Sequence, residues 1–498
     1  MKKLVFFFLL ISKSALLGQT VLNSYPLNLD TSYDRNPFKF VQAVNIEDEK
    51  THDLYVFASD NKNLSILKYN KAVFLKNQYQ DSIKVAYNRA LIGQSISDDG
   101  HPILYWSSAT MRNLKIIKYF LDNKVSKTLN FDFPSYHDYI ITYYQKNNIF
   151  YILAKEKNEP HLILYELNNG KCTIRMFDFS SFLFQNEKKQ NFSFSTVIDY
   201  FPIQKMEYND FNPLDKTTNK TKMYVHDDHI TLSFDYNLKQ TQVFNLNFET
   251  QDVTEKNYPQ PVGKKASGNS NSLYYDNKLF QIKTNSEEML LDIKDFESAK
   301  TIKNIAIAKN DTIRFKSSPL FLQLNDQKPQ ELKTTGRFLK NLLNVNPGIS
   351  IFKNHENNAV TLGGFLEYEI SEFGSNNYDQ NDYFNGFDDA NRNSIYSQRK
   401  MVFFDTMLNP NLEFTNTRQQ EPLAMDNLFY YLSTNKNVSL QSILKIEDYY
   451  LLSYYDTASK QYVIRKFTDG FMQEDYGNPI INKSQFSKPA SFGKIKVR

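Results

Sequence analysis

The sequence predicts an all-β fold built from repeated four-stranded antiparallel sheets. Three observations support this. First, Tyr139 to Phe179 reads as four apolar or alternating runs (YIITYYQKNN, IFYILAKEKN, HLILYELNNG, KCTIRMFDF) separated by short polar joints. Val, Ile, Tyr and Phe fill the runs, while Asn, Gly, Lys and Glu fill the joints, as half-buried strands and tight turns require. Second, related runs recur along the chain. Third, no long stretch carries a helical period, apart from one short segment discussed below.

With the second strand of each unit as marker, the recurrences are DLYVF at Asp53, PILYW at Pro102, NIFYI at Asn148, HITLSF at His229, KLFQI at Lys278, AVTLGG at Ala359 and YYLLSYY at Tyr449. The steps from Asp53 to Pro102 and from His229 to Lys278 are 49 residues, and that from Pro102 to Asn148 is 46. The remaining steps, of 81, 81 and 90 residues, are one unit plus an insertion. Four strands per period in the forties is the signature of a propeller blade. The chain thus resembles the broad β-propeller class, and the expected fold is a seven-bladed β-propeller with long loop insertions on one face. It lacks the Gly-His and Trp-Asp marks of WD40 repeats. Gly363-Gly364 resembles the double glycine of a kelch repeat, once.

Taken in order, residues 1–18 read as a secretory signal: Lys2 and Lys3, the apolar run Leu4 to Ile11, then the small Gly18. The expected organisation is that signal followed by one propeller over 19–498. Val21 to Leu29 resembles a fourth strand and is expected to complete blade 7, whose own fourth strand is missing. Pro26 suits that outermost place, since an edge strand can spare an amide hydrogen. The alternative is completion by Phe471 to Tyr476.

Within a blade of strands a to d, the b–c loop and the crossover to the next blade share one end. The long extras, about 180–221, 310–346, 367–399 and 416–438, all fall there and are expected to build a rim on one face. The first carries Phe182, Phe184, Phe192, Phe194, Tyr200 and Phe201 among charged residues. Aromatic anchors in a polar setting suit a protein interface, and the competing reading packs these rings onto the propeller itself. In the second, Leu332, Leu339, Leu342 and Leu343 have helical spacing, which predicts a short amphipathic helix within Glu331 to Val345. The third contains Asp389-x-Asn391-x-Asn393, similar to the start of an oxygen-ligand calcium loop, but Ser394 stands where that loop has Gly and Lys400 where it has the closing Glu. Calcium is thus the one cofactor the sequence suggests.

Composition narrows the function. Losing the three lysines of residues 1–18 takes the formal charge from +4 to +1, which argues against nucleic acid as partner. No later apolar run approaches the ~20 residues of a membrane span. The single cysteine, Cys172, forms no internal disulfide and no CxxC zinc site. Asp81-Ser82-Ile83, Asp311-Thr312-Ile313, Asp405-Thr406-Met407 and Asp456-Thr457-Ala458 resemble O-glycosylation tripeptides of exported Gram-negative proteins. His226 and His229 flank a two-residue turn, two ligands short of a closed metal site. No G-x-S-x-G elbow, phosphate-binding glycine loop or H-E-x-x-H helix occurs. The expectation is an exported, non-enzymatic binding or scaffolding propeller of the periplasm or outer-membrane surface with a protein partner. The alternative is a secreted polysaccharide hydrolase or lyase with carboxylates over the central channel.

Overall fold

Alternation along each strand gives every blade two apolar faces, and the computed structural model shows how these are covered. It describes residues 19–29, 41–60, 62–82, 89–108, 113–133, 138–265, 268–325, 327–371, 395–419 and 421–471. Strand makes up about 58% of the described residues and helix 8%, far above the ~20–25% strand of an average protein. The described strands form seven sheets of four or more strands, each a propeller blade, plus one two-stranded hairpin.

Blade 1 holds Gln42–Glu47, Leu54–Ser59, Asn63–Tyr69 and Leu75–Ser82, and blade 2 holds Arg89–Ile96, Pro102–Ser108, Asn113–Phe120 and Val125–Asp132. Blade 3 holds Asp138–Lys146, Ile149–Glu156, His161–Asn168 and Lys171–Asp178. Blade 4 holds Thr221–Val225, His229–Phe234, Gln240–Asn247 and Val253–Pro259, and blade 5 holds Asn269–Tyr275, Lys278–Thr284, Glu288–Asp295 and Thr301–Ala308. All seven second-strand markers fall on second strands. The outer strands are wetter than the middle ones: Val125–Asp132 is almost wholly exposed, whereas Leu54–Ser59 is wholly buried.

Blade 7 consists of Val438–Ile446, Tyr449–Asp456 and Gln461–Phe467, and its fourth strand is Gln19–Pro26, paired antiparallel with Gln461–Phe467. The expected closure by the N-terminal strand is thus the one observed, with Pro26 on the outermost strand opposite Gln461. Beyond the strand, Leu27 and Leu29 are buried with Leu451, Tyr455 and Ile464 of blade 7 and Leu54, Val56 and Ala58 of blade 1. Asn45 Nδ2 donates to Ser453 Oγ (2.8 Å) across the same seam. The first strand therefore locks the last blade, and its continuation covers the joint between last and first.

Blade 6 departs from expectation. Asn346–Asn354, Asn357–Ser371 and Ile395–Leu408 form its first three strands, but the outer place beside Lys400 to Phe403 is taken by Leu320–Leu324, itself paired with Gln330–Leu332. The stretch about 310–346 is thus not simply a rim loop: it supplies a blade edge from upstream in the chain. After the third strand only Phe414–Thr415 pairs, with Met407 and Leu408. Within 367–399, both flanks continue the hairpin as strand to Ser371 and from Ile395, and Asp389, Asn391 and Asn393 lie outside the described residues. Gly363 and Gly364 owe their place to close packing. A Cβ on Gly363 would meet Val402 O at 2.1 Å, and one on Gly364 would meet Val345 Cγ2 at 2.6 Å.

Four helices occur among the described residues, where the sequence pattern predicted one outside the signal. They are α1 (Phe194–Tyr200), α2 (Leu214–Thr217), α3 (Thr335–Leu342) and α4 (Ala424–Thr434). The predicted one is α3, shorter than the Glu331 to Val345 span because Gln330–Leu332 is strand; its Phe338, Leu339 and Leu342 are buried, while Leu343 is exposed. Ser193 caps α1 by accepting from Thr196 N (3.1 Å), a side-chain acceptor of the kind that satisfies helix-start amides.

Burying a Leu side chain contributes about 1.5–3 kcal/mol, and its truncation to Ala costs more because a cavity remains. Leu27→Ala and Leu29→Ala should each lower unfolding stability by ~2–4 kcal/mol in denaturant melts. A loss below ~0.5 kcal/mol would show that the N-terminal segment does not seal the ring.

Candidate functional site

The first insertion has two parts with different roles. Residues after α1 turn inward: Ile203–Lys205 pairs parallel with Thr221–Val225, adding a fifth strand on the channel side of blade 4. Met206 N continues the pairing to Met223 O (2.8 Å). The chain then turns in a loop stapled by Asn212, which is buried, accepts from Glu207 N (2.8 Å) and donates to Glu207 O and Asp210 O (2.8 and 3.1 Å).

From that loop the side chains reach the far side of the ring. Asp276 N of blade 5 donates to Asn209 Oδ1 (2.8 Å). On blade 7, Tyr450 OH donates to Asp210 Oδ1 (2.8 Å) and Lys445 Nζ pairs with Asp210 Oδ2 (3.1 Å). Ser350 Oγ of blade 6 donates to Asn212 O (2.5 Å). Phe211 meets Phe352 of blade 6 and Phe429 of α4 with ring centroids 5.5 and 5.7 Å apart. Leu214 is buried against Met401 and Phe403. A strand on blade 4 can touch blades 5, 6 and 7 only by crossing the central channel. Residues Ile203 to Thr218 therefore occupy it, and their tip enters the seam between blades 6 and 7. There α4 covers blade 7, with Ala424, Met425, Leu428 and Tyr431 against Tyr450, Leu452 and Tyr454.

The charges in the channel are largely paired. Burial works to raise the Glu207 carboxyl, but the Lys205 ammonium 2.8 Å away, with Lys216 and Lys445 beyond, holds it below the usual carboxylate range. Asp215 behaves oppositely: burial raises it, and the opposing Lys216 does not overcome that. On the channel wall Lys222 and Asp235 form a fully buried ion pair (3.1 Å). Asp235 also accepts from Thr241 Oγ1 (2.7 Å), Ser272 N (3.0 Å) and Ser272 Oγ (2.8 Å), so its lone pairs are satisfied inside the seam between blades 4 and 5. Burial keeps the Lys222 ammonium below its ordinary value and pushes Lys220 down to about 7, against the pull of Asp235.

The second part of the insertion faces outward. Phe184 and Phe194 do not project to a partner: both are buried against Phe179, Phe234 and Phe244, with Phe179 and Phe194 stacked at 4.1 Å. Phe182 packs edge-on to Phe244 (5.0 Å) and Phe201 stacks on Tyr236 (5.8 Å), both partly buried. As surface anchors Phe184 and Phe194 are corrected, because rings this large gain more from the apolar faces of blades 3 and 4 than from water. Phe192 and Tyr200 stay exposed, at 37% and 75%, and Leu183, which the sequence reading passed over, is 69% exposed. Tyr139, half-exposed at the start of blade 3, lies beneath the Lys155 ammonium (5.7 Å from the ring centre), which also pairs with Asp199 beside Tyr200. The signal lost in the sequence was orientation: Leu183 and Phe184 are neighbours, and only pairing in the Phe184–Gln185/Asn191–Phe192 hairpin decides which one points inward.

Among the remaining candidates, His226 lies against the channel segment, its ring 4.3 Å from that of Tyr208. His226 and His229 stack at 4.2 Å, and burial, helped by His229 and Lys146, pushes His226 down to about 4. Among the described residues no three His, Cys, Asp or Glu side chains are grouped to hold a metal. Cys172, half-buried on the outer strand of blade 3, has its thiol pushed up to about 11 by burial. No helix among the described residues is long and apolar enough to cross a membrane.

No family model and no curated protein matches the chain. Solved structures with propeller folds do. They include an oligogalacturonate lyase in complex with manganese (8% identity, 92% of this chain and 99% of that one, TM-score 0.33) and the WD40 domain of SCAP from fission yeast (8%, 90% and 91%, 0.27). The Dos1 propeller is a third (9%, 78% and 85%, 0.28). Likeness this distant carries no functional argument.

The raised Asp215 gives a pH test. A carboxyl whose folded pKa lies above its unfolded value makes the folded state bind more protons, so stability falls as pH rises from the unfolded pKa through the folded one. Asp215→Asn should therefore raise the melting temperature at pH 7, with the gain vanishing below the ordinary Asp pKa of about 4. An Asn variant destabilised equally at both pH values would contradict the burial of this carboxyl.

Proposed function

We propose that this protein is an exported, non-enzymatic β-propeller that binds or scaffolds a protein partner in the cell envelope, using the insertion-bearing face of blades 3 and 4. The observation carrying this reading is the division of the first insertion. Its inner half fills the channel with residues committed to blades 4 to 7, while its outer half holds Leu183, Phe192 and Tyr200 exposed above a rigid aromatic cluster. Exposed apolar and aromatic side chains on a firm support lose little conformational freedom on docking, which is what interface anchors need. Support for export comes from the Lys2 to Gly18 pattern, and the proposed location is the periplasm or the outer-membrane surface.

The test is crosslinking and co-purification from the native envelope with the Leu183→Ser/Phe192→Ser/Tyr200→Ser variant. Losing buried anchors costs ~2 kcal/mol or more each, about thirtyfold in affinity. The variant should lose its partner and melt as the parent does. Phe184→Ser/Phe194→Ser should instead lower the melting temperature. An unchanged partner set with the triple variant would reject this face.

One observation favours the second reading, a polysaccharide hydrolase or lyase. Glu207 and Asp215 sit on one channel segment with carboxyls driven in opposite directions, the pattern that separates a base from an acid. Polysaccharide cleavage that both Glu207→Gln and Asp215→Asn abolish would establish that reading over the first.

A further inference from the structure

At the end of blade 4 opposite the insertions, a cleft of about 310 Å³ is lined by His229, Asn245, Asn247, Thr250, Asp252 and Thr254, at the lower end of small-ligand sites. These residues converge because register demands it. His229 pairs with Asn247, Thr231 with Asn245 and Asn245 with Thr254, so one face of the sheet carries a polar ladder where it splays toward its turn. Further up the same face, Val243 and Tyr258 pack toward blade 5. Deeper in the seam the polar groups of this face, such as Asp235 and Thr241, are buried and bonded to one another, whereas at the end of the sheet Asp252 and Thr254 are exposed.

The hydrogen-bonding state of each side chain is set by its neighbours. Asn245 Oδ1 accepts from Thr231 Oγ1 (2.9 Å), which leaves the amide nitrogen as donor. Asn247 Oδ1 caps the turn by accepting from Glu249 N and Thr250 N (2.8 and 2.9 Å), again leaving its nitrogen. His229 Nδ1 lies 2.7 Å from Asp228 Oδ1, so it donates there and Nε2 is the acceptor of the neutral ring. The Asp252 carboxylate and the Thr254 hydroxyl have no partner among the described residues. The cleft thus offers two amide donors, an imidazole acceptor, a carboxylate and hydroxyls. Its lining includes no lysine or arginine for an anion and no aliphatic side chain. Groups that both give and accept hydrogen bonds, repeated at close spacing, are what such a set satisfies.

We propose that this cleft binds a neutral polyhydroxylated ligand, a mono- or disaccharide unit, with Asp252 and Thr254 accepting from its hydroxyls and Asn245 and Asn247 donating to them. The site goes beyond the partner-binding reading, lies at the other end of the ring and stands or falls independently of it. The test titrates the full chain with maltose, cellobiose, lactose and N,N′-diacetylchitobiose by calorimetry and saturation-transfer NMR, with sodium phosphate as the anionic comparison. At least one disaccharide should bind saturably with Kd of ~1 mM or tighter. Asp252→Asn should weaken it about tenfold or more and Thr254→Val about fivefold, as loss of a charged and a neutral hydrogen bond implies. Both side chains are exposed, so the melting temperature should not move. Absence of saturable binding by all four sugars, binding that neither variant changes, or saturation by phosphate instead would each overturn the proposal.

Discussion

Every blade of this protein must bury two faces, and the ring exists because seven such sheets cover one another. A free blade would leave rows such as Tyr55, Phe57, Leu64 and Ile66 in water; here they face Leu91, Leu104 and Trp106 of the next blade. The same requirement explains the first strand's place in the last blade. Without Gln19–Pro26, blade 7 would end at Gln461–Phe467 with an unpaired edge, a template for unwanted pairing. Without Leu27 and Leu29, its seam with blade 1 would lose part of its apolar cover.

The same constraint governs the insertions. The seam between blades 6 and 7 is filled by material from two of them, the Phe211 to Leu214 tip of the first and α4 of the last. The channel segment is thus a structural member: it bridges blades 4 to 7 and leaves its carboxylates mostly tied to lysine, tyrosine or backbone partners. Outside the channel, the Leu183–Tyr200 rim and the polar cleft of blade 4 are open to other molecules.

Much of this was legible in the residues. The recurrence of DLYVF, PILYW and NIFYI-type runs located every second strand, because buried middle strands need near-continuous apolar sequence. The fourth-strand character of Val21 to Leu29 located the closure. The outer edge of blade 6 was not legible, since Leu320–Leu324 precedes the blade it completes and an edge strand imposes little pattern. The helices α1 and α4 were hidden by length: seven and eleven residues give too few turns for a period to stand out among aromatics. The aromatic cluster misled for a different reason. Phe184 and Leu183 are equally apolar, and only three-dimensional register buries one and exposes the other. The cleft of blade 4 escaped notice because Asn, Thr and Asp near turns are ordinary turn chemistry until register aligns them.

The central claim is that Ile203 to Thr218 is a permanent filling of the channel rather than a loop resting in it. Native-state hydrogen exchange with peptide-level mass spectrometry tests it most directly, because protection reports the free energy of local opening. If the segment is integral, the amides of Met206 and Thr217, which donate to Met223 O and Pro213 O, should exchange as slowly as the inner strand Thr221–Val225 beside them. Rapid exchange of 203–218, with the blades still protected, would mean that the channel opens readily and would contradict the account.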